Sequence, residues 1–130
     1  MDRLDIYKCN ICGNIVEVMV SGGGELICCG ENMQKLEPQS KEDSMMEKHV
    51  PILFENNDGT EIRVGEVLHP MLPEHYIMFI QAISKDRNFI STKFLSSSDE
   101  PKMILNEVLT DVIAREYCNI HGLWENNNDK

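Results

Sequence analysis

Nine side chains in this sequence are of types that bind transition metals, and they fall into two groups. Cys9, Cys12, Cys28 and Cys29 form a C-x2-C pair, a gap of fifteen residues, then a C-C pair. Four thiolates satisfy a tetrahedral iron or zinc ion, and C-x2-C lets two sulfurs chelate from one tight turn. The adjacent pair cannot repeat the relaxed chelate turn that a zinc ribbon uses twice, so a distorted tetrahedron is expected. Gly13 and Gly30, one directly after each pair, suit turns whose backbone amides point at sulfur. The second group is His49, His69, His75, Cys118 and His121, all the histidines and the remaining cysteine. His69 and His75 bracket Pro70-Met71-Leu72-Pro73-Glu74, a stiff loop able to bring one imidazole back to the other. Cys118-Asn119-Ile120-His121 is a C-x2-H chelate. Nitrogen and sulfur donors without a carboxylate pattern suit a transition metal rather than calcium or magnesium.

These residues need a scaffold, and the sequence predicts strands arranged in two units. Residues 1–36 hold four of the five cysteines and few large apolar side chains, so a bound metal would have to supply stability that burial cannot. Val16, Val18 and Val20 alternate with polar residues or Met19, predicting a strand that enters the Gly22-Gly23-Gly24 turn and returns through Leu26-Ile27. Residues 37–46 are polar with one proline and predict a linker. From 47 to 124 the expected strands are Val50–Phe54, Glu61–Val67, Tyr76–Ile83, Phe89–Leu95 and Val108–Tyr117. Turns are expected at Asn57-Asp58-Gly59 and Asp86-Arg87-Asn88, and a loop over Ser96–Pro101. Short strands with regular turn signals and no helical period predict an all-β chain, a small metal module followed by a β-sandwich. The polar tail from 125 to 130 is expected to fray.

Bulk properties exclude several function classes. The 130 residues carry 22 acidic and 12 basic side chains, a formal net charge of -10. That balance opposes phosphate-driven nucleic-acid binding and a polybasic membrane anchor. No run approaches the ~18 apolar residues of a membrane-spanning helix. Met1-Asp2-Arg3-Leu4-Asp5 lacks the apolar stretch of a secretion signal, so a cytoplasmic location is expected. An odd cysteine count with one adjacent pair argues against a disulfide framework.

Tyr7-Lys8-Cys9-Asn10-Ile11-Cys12-Gly13, with Gly22-Gly23-Gly24 and Cys28-Cys29-Gly30, resembles a desulforedoxin module. Glu47-Lys48-His49-Val50-Pro51, His69-Pro70-Met71, Glu74-His75-Tyr76 and Tyr117-Cys118-Asn119-Ile120-His121-Gly122 resemble the catalytic domain of superoxide reductase. Together, over roughly residues 5–124, they resemble the two-iron desulfoferrodoxin family. The resemblance implies an immunoglobulin-like β-sandwich and two irons per chain, one held by four cysteines and one by four histidines and Cys118. At the second, four imidazoles would lie around Fe(II), with the Cys118 thiolate on one axis and the opposite position open. The implied reaction is one-electron reduction of superoxide to hydrogen peroxide without dioxygen release, a role in detoxification under oxidative stress. Lys48 would steer the anion and stabilise developing negative charge, and Glu47 would close the sixth position in the oxidised enzyme. The family also implies a rubredoxin-like electron donor and a homodimer. The four-cysteine iron would relay electrons or only hold its module together.

Other readings explain less. A zinc-ribbon regulator leaves the histidines without a purpose. A pure electron carrier gains nothing from an open coordination position. A dismutase must oxidise superoxide as readily as it reduces it, which a thiolate-ligated site favouring peroxide release need not do. Arg115 and Glu116, on opposite faces of a strand, are expected to be structural, and Tyr117 and Trp124 to be packing residues. Met71 and Met78 are expected to pack around the second site.

Overall fold

A computed structural model describes residues 1–40, 49–65, 69–107 and 111–126, with Asn56 described by its backbone only. Glu47 and Lys48 therefore lie outside the described residues, as do most of the expected linker and parts of two expected strands. Every regular element among the described residues is a strand. The chain divides into two compact units, Met1–Glu37 and Pro38–Lys130.

In the first unit, β1 (Ile6–Lys8) pairs on one side with β2 (Ile15–Glu17) and on the other with β5 (Gln34–Leu36). A separate hairpin joins β3 (Ile27–Cys28) to β4 (Glu31–Asn32). The predicted hairpin through Gly22-Gly23-Gly24 does not form. β2 stops at Glu17, Val20 is left exposed, and Leu26-Ile27 does not return along β2. The physical reason is the metal pattern: Cys28-Cys29 must face Cys9 and Cys12, so the return segment folds back on itself instead.

The second unit is a sandwich of two antiparallel sheets. One has the order β10 (Lys102–Leu105), β7 (Gly59–Val64), β6 (Pro51–Asn56). The other has the order β12 (Gly122–Glu125), β11 (Val112–Cys118), β8 (Ile77–Ser84), β9 (Ile90–Phe94). Seven strands split three and four, with the first, second and fifth sharing a sheet, make an immunoglobulin-like topology. The core follows the strand period: Ile62 and Val64 of β7, Ile80 and Ala82 of β8, and Val112, Ala114 and Cys118 of β11 join Ile77, Leu95 and Met103 in one buried cluster. Each buried Ile contributes about 2 kcal/mol. The metal-capable Cys118 is thus part of the sandwich interior.

Two segments read as unstructured are in fact engaged. Gln39, within the expected linker, bridges to Trp124 in parallel, with Gln39 N–H donating to the Leu123 carbonyl at 2.9 Å and Glu125 N–H to the Gln39 carbonyl at 2.8 Å. At the other end, Glu125 completes β12 and Asn126 is buried rather than frayed. The Asn126 side chain accepts from Ala114 N–H at 2.9 Å and donates to the Val112 carbonyl at 3.1 Å, continuing the sheet where the backbone ladder ends.

Candidate metal centres

In the first unit the Cys9–Cys12 turn is closed by Gly13 N–H donating to the Cys9 carbonyl at 3.0 Å and Cys9 N–H to the Asn14 carbonyl at 2.9 Å. Cys12 N–H then points at Cys9 Sγ, 3.4 Å away. The second pair sits on the β3–β4 hairpin. Cys28 pairs with Glu31, leaving Cys29 and Gly30 as a two-residue loop with φ of 55° and 79°. Positive φ at both positions is the primed turn whose twist suits a tight hairpin. Gly30 adopts it freely, whereas Cys29 does so at a cost. The turn aims both neighbouring sulfurs at the same point. Cys12 Sγ lies 3.6 Å from Cys28 Sγ, and Cys28 Sγ 4.0 Å from Cys29 Sγ. Sulfurs about 2.3 Å from a shared tetrahedral ion would be about 3.8 Å apart, so these edges fit iron or zinc. The backbone amides of Cys12 and Ile11 draw the Cys9 thiol down to about 6. Crowding against the Cys12 sulfur, with Cys28 and Cys9 beside it, pushes the Cys29 thiol up to about 12, and Cys28 moves the same way. With the Cys28 and Cys29 thiols pushed up, binding a cation among the four sulfurs must displace protons.

The second group lies at one end of the sandwich. His49 precedes β6, His69 and His75 sit in the β7–β8 connection, Cys118 ends β11, and His121 lies in the turn to β12. Neighbouring imidazole centroids close a ring: His49–His69 4.6 Å, His69–His75 4.8 Å, His75–His121 5.1 Å and His121–His49 4.7 Å. Cys118 Sγ stands 3.7 Å from His69 Nε2 and 3.9 Å from His121 Nδ1. One donor atom from each of the five lies within 4.8 Å of all the others. His49 Nε2 and His69 Nε2 are 3.0 Å apart, the spacing of two ligands at right angles about 2.1 Å from a common ion.

Local structure sets each donor's direction. His69 Nδ1 lies 2.7 Å from the Pro70 carbonyl, which can only accept, so the proton sits on Nδ1 and the Nε2 lone pair faces the centre. Leu72 and His75 exchange both backbone hydrogen bonds, 2.9 and 3.0 Å, across Pro73-Glu74, which turns His75 back toward His69. The register of β8 against β11 shifts between Tyr117 and Cys118, where Cys118 pairs with Ile77. Such an irregularity beside a site re-aims a side chain. Met71 Sδ accepts from Ile77 N–H at 3.4 Å and its side chain packs on the core, beside the His69–His75 loop.

Sequence reasoning missed some of this support. Trp124, expected only to pack, stacks on His49 at 4.9 Å and 16° and donates from Nε1 to the His121 carbonyl at 3.1 Å. Gln39 Nε2 donates to the same carbonyl at 2.9 Å. The C-terminal tryptophan was visible as a feature, but nothing in the spacing tied Gln39 to a residue so distant in the chain. Arg115 and Glu116 are both buried. Arg115 Nε and Nη2 donate to Gln81 Oε1 at 3.0 and 2.6 Å, and Tyr117 stacks on Phe79 at 5.8 Å.

Both units have known counterparts. A family model described as Desulfoferrodoxin, N-terminal domain, matches residues 1–36, and one described as Desulfoferrodoxin matches residues 41–127. Desulfoferrodoxin of Desulfarculus baarsii is 43% identical over 127 residues, covering 98% of each chain. A superoxide reductase of Thermococcus kodakarensis is 36% identical over 97 residues, 62% of this chain and 84% of that protein. The crystal structure of the superoxide reductase from Treponema pallidum superposes with a TM-score of 0.72 at 26% identity, covering 95% of this chain and 98% of that one. With both units matched in chain order and the likeness sustained over nearly the whole length, the chain belongs to the desulfoferrodoxin family.

Proposed function

We propose that the chain is a superoxide reductase: superoxide takes up one electron and two protons and leaves as hydrogen peroxide, with no dioxygen released. The observation that carries this is the donor set of the second centre. Four imidazoles close a ring beside one buried thiol, and among the described residues no sixth His, Cys, Asp or Glu joins them. The protein takes two irons per chain, one in each centre. Iron(II) held by His49, His69, His75, Cys118 and His121 would supply the electron and a Lewis-acid site for the anion.

The chain's own residues do the rest. Neutral imidazoles and a single thiolate leave a ferrous centre with net positive charge, which attracts an anion. Cys118 is fully buried, so its sulfur is shielded from water and its electron density is directed to the metal. His49 and His69 are buried at 0% and 2% exposure, whereas His75 and His121 are half-buried, so solvent reaches the ring on the His75–His121 side. Lys48 is assigned the steering of superoxide and the stabilising of developing negative charge. Glu47 is assigned the closing of the sixth position after oxidation, swinging away on reduction. Their adjacency to the buried ligand His49 supports both roles.

Two copies of the chain, each with its small module of residues 1–36 followed by a catalytic unit of residues 47–124, are proposed to pair as a homodimer in the cytoplasm, reduced by a rubredoxin-like donor. Exposed Ile11, Met19, Val20 and Ile27 on the first unit support pairing with a second copy. Among the described residues no helix is long and apolar enough to cross a membrane.

Metal analysis with stopped-flow spectroscopy tests the reading. Two irons per chain, a new absorption band when superoxide oxidises the second, and peroxide without dioxygen are expected. Zinc alone, or dioxygen evolved in step with peroxide, would overturn it.

A further inference from the structure

We infer that Asn119 is a positioning residue for the second centre, locking the backbone on both sides of His75 and so fixing that imidazole relative to Cys118 and His121. Asn119 lies inside the C-x2-H chelate. Its Oδ1 accepts from Tyr76 N–H at 2.9 Å, and its Nδ2 donates to the Glu74 carbonyl at 3.1 Å. Asn119 N–H adds a bond to the Tyr76 carbonyl at 3.2 Å. The two groups gripped by the side chain are those of the residues flanking His75. Both ends are chemically determined: an N–H can only donate and a carbonyl only accept, so the amide has one orientation. An aspartate would satisfy Tyr76 but not Glu74.

The four imidazoles are held by different means. His49 and His69 are held by burial, and Trp124 stacks on the first while the Pro70 carbonyl fixes the second. His121 is held through its carbonyl by Gln39 and Trp124. His75 is only half-buried, and its mutual bonds with Leu72 shape the loop without connecting it to β11. Asn119 makes that connection, so two ligand-bearing segments 43 residues apart move as one body.

The inference rests on the second centre holding iron. The test measures release of ferrous iron from the full-length protein to a chromogenic chelator, with the four-cysteine centre as internal reference. Asn119→Leu should release the second iron about 10–100-fold faster, the usual cost of losing an outer-shell partner, with the first centre unchanged. Asn119→Asp should fall between it and the parent. Because Asn119 acts through His75, adding Asn119→Leu to His75→Ala should speed release by less than about twofold. Pulsed EPR of the oxidised Asn119→Leu centre should show one imidazole fewer, or one weakly coupled. Equal acceleration in both backgrounds, or an unaltered set of four imidazoles, would overturn the inference. If Asn119→Leu does not fold, Asn119→Asp is judged on the same readouts. A parent protein with no iron in the second centre would sink the reductase reading itself, a separate result.

Discussion

A hydrogen bond of 2.7 Å to the Pro70 carbonyl decides which nitrogen of His69 can bind metal, and comparable small constraints govern the other donors. The fifth donor differs in kind, since Cys118 is the sole anion of the set and belongs to the sandwich core. Cys118→Ser should therefore remove the thiolate-to-iron band of the second centre while leaving the four-cysteine bands intact. It should slow the superoxide reaction by more than the roughly 100-fold that losing an outer-shell partner costs. Lys48 acts at longer range. Lys48→Met should lower the second-order rate with superoxide about tenfold and flatten its dependence on ionic strength, both read by stopped-flow at several salt concentrations. At this scale the sequence was highly legible, because nine residues of two rare types, cysteine and histidine, with chelate spacings leave little choice of chemistry. Asn119 and Gln39 were not legible. Amides are common, and their partners, Glu74 and Tyr76 for one and His121 for the other, are set by a fold that spacing does not reveal.

Gly59 shows how little room some elements leave. A Cβ there would stand 2.1 Å from the Leu105 carbonyl oxygen, because β10 closes against β7 at the end of the Asn57-Asp58 hairpin. Gly59→Ala should cost about 2–4 kcal/mol of stability, measured by denaturant unfolding, without changing the spectrum of either iron. The strands around this turn were readable from their alternation and from a strong turn signal. β10 and β12 were not. Each has four residues, one follows a serine-rich loop ending at Pro101 and the other follows a ligand motif, and four residues hold too few periods to stand out. The first unit misled in the opposite way. Val16, Val18 and Val20 alternate as a strand should, yet the ladder ends at Glu17, since tertiary pairing with β1 and the demands of the sulfurs override a local pattern.

Across the whole molecule, the two units depend on metal to different degrees. The first has Leu4, Ile6, Cys9 and Val18 as its buried apolar residues, whereas the second has a continuous core across two sheets. Removing both irons with a chelator should melt the first unit while the β8–β11 ladder stays protected, which amide hydrogen exchange would resolve segment by segment. The Gln39 clamp bears on how such a chain can be cut. A shortened gene beginning at Pro38 would keep both donors to the His121 carbonyl, whereas one beginning at Lys41 would lose one of them. The natural seam for dividing this protein into separately expressed pieces therefore lies before Pro38, and a few residues discarded as spacer would be taken from the reaction centre's own frame.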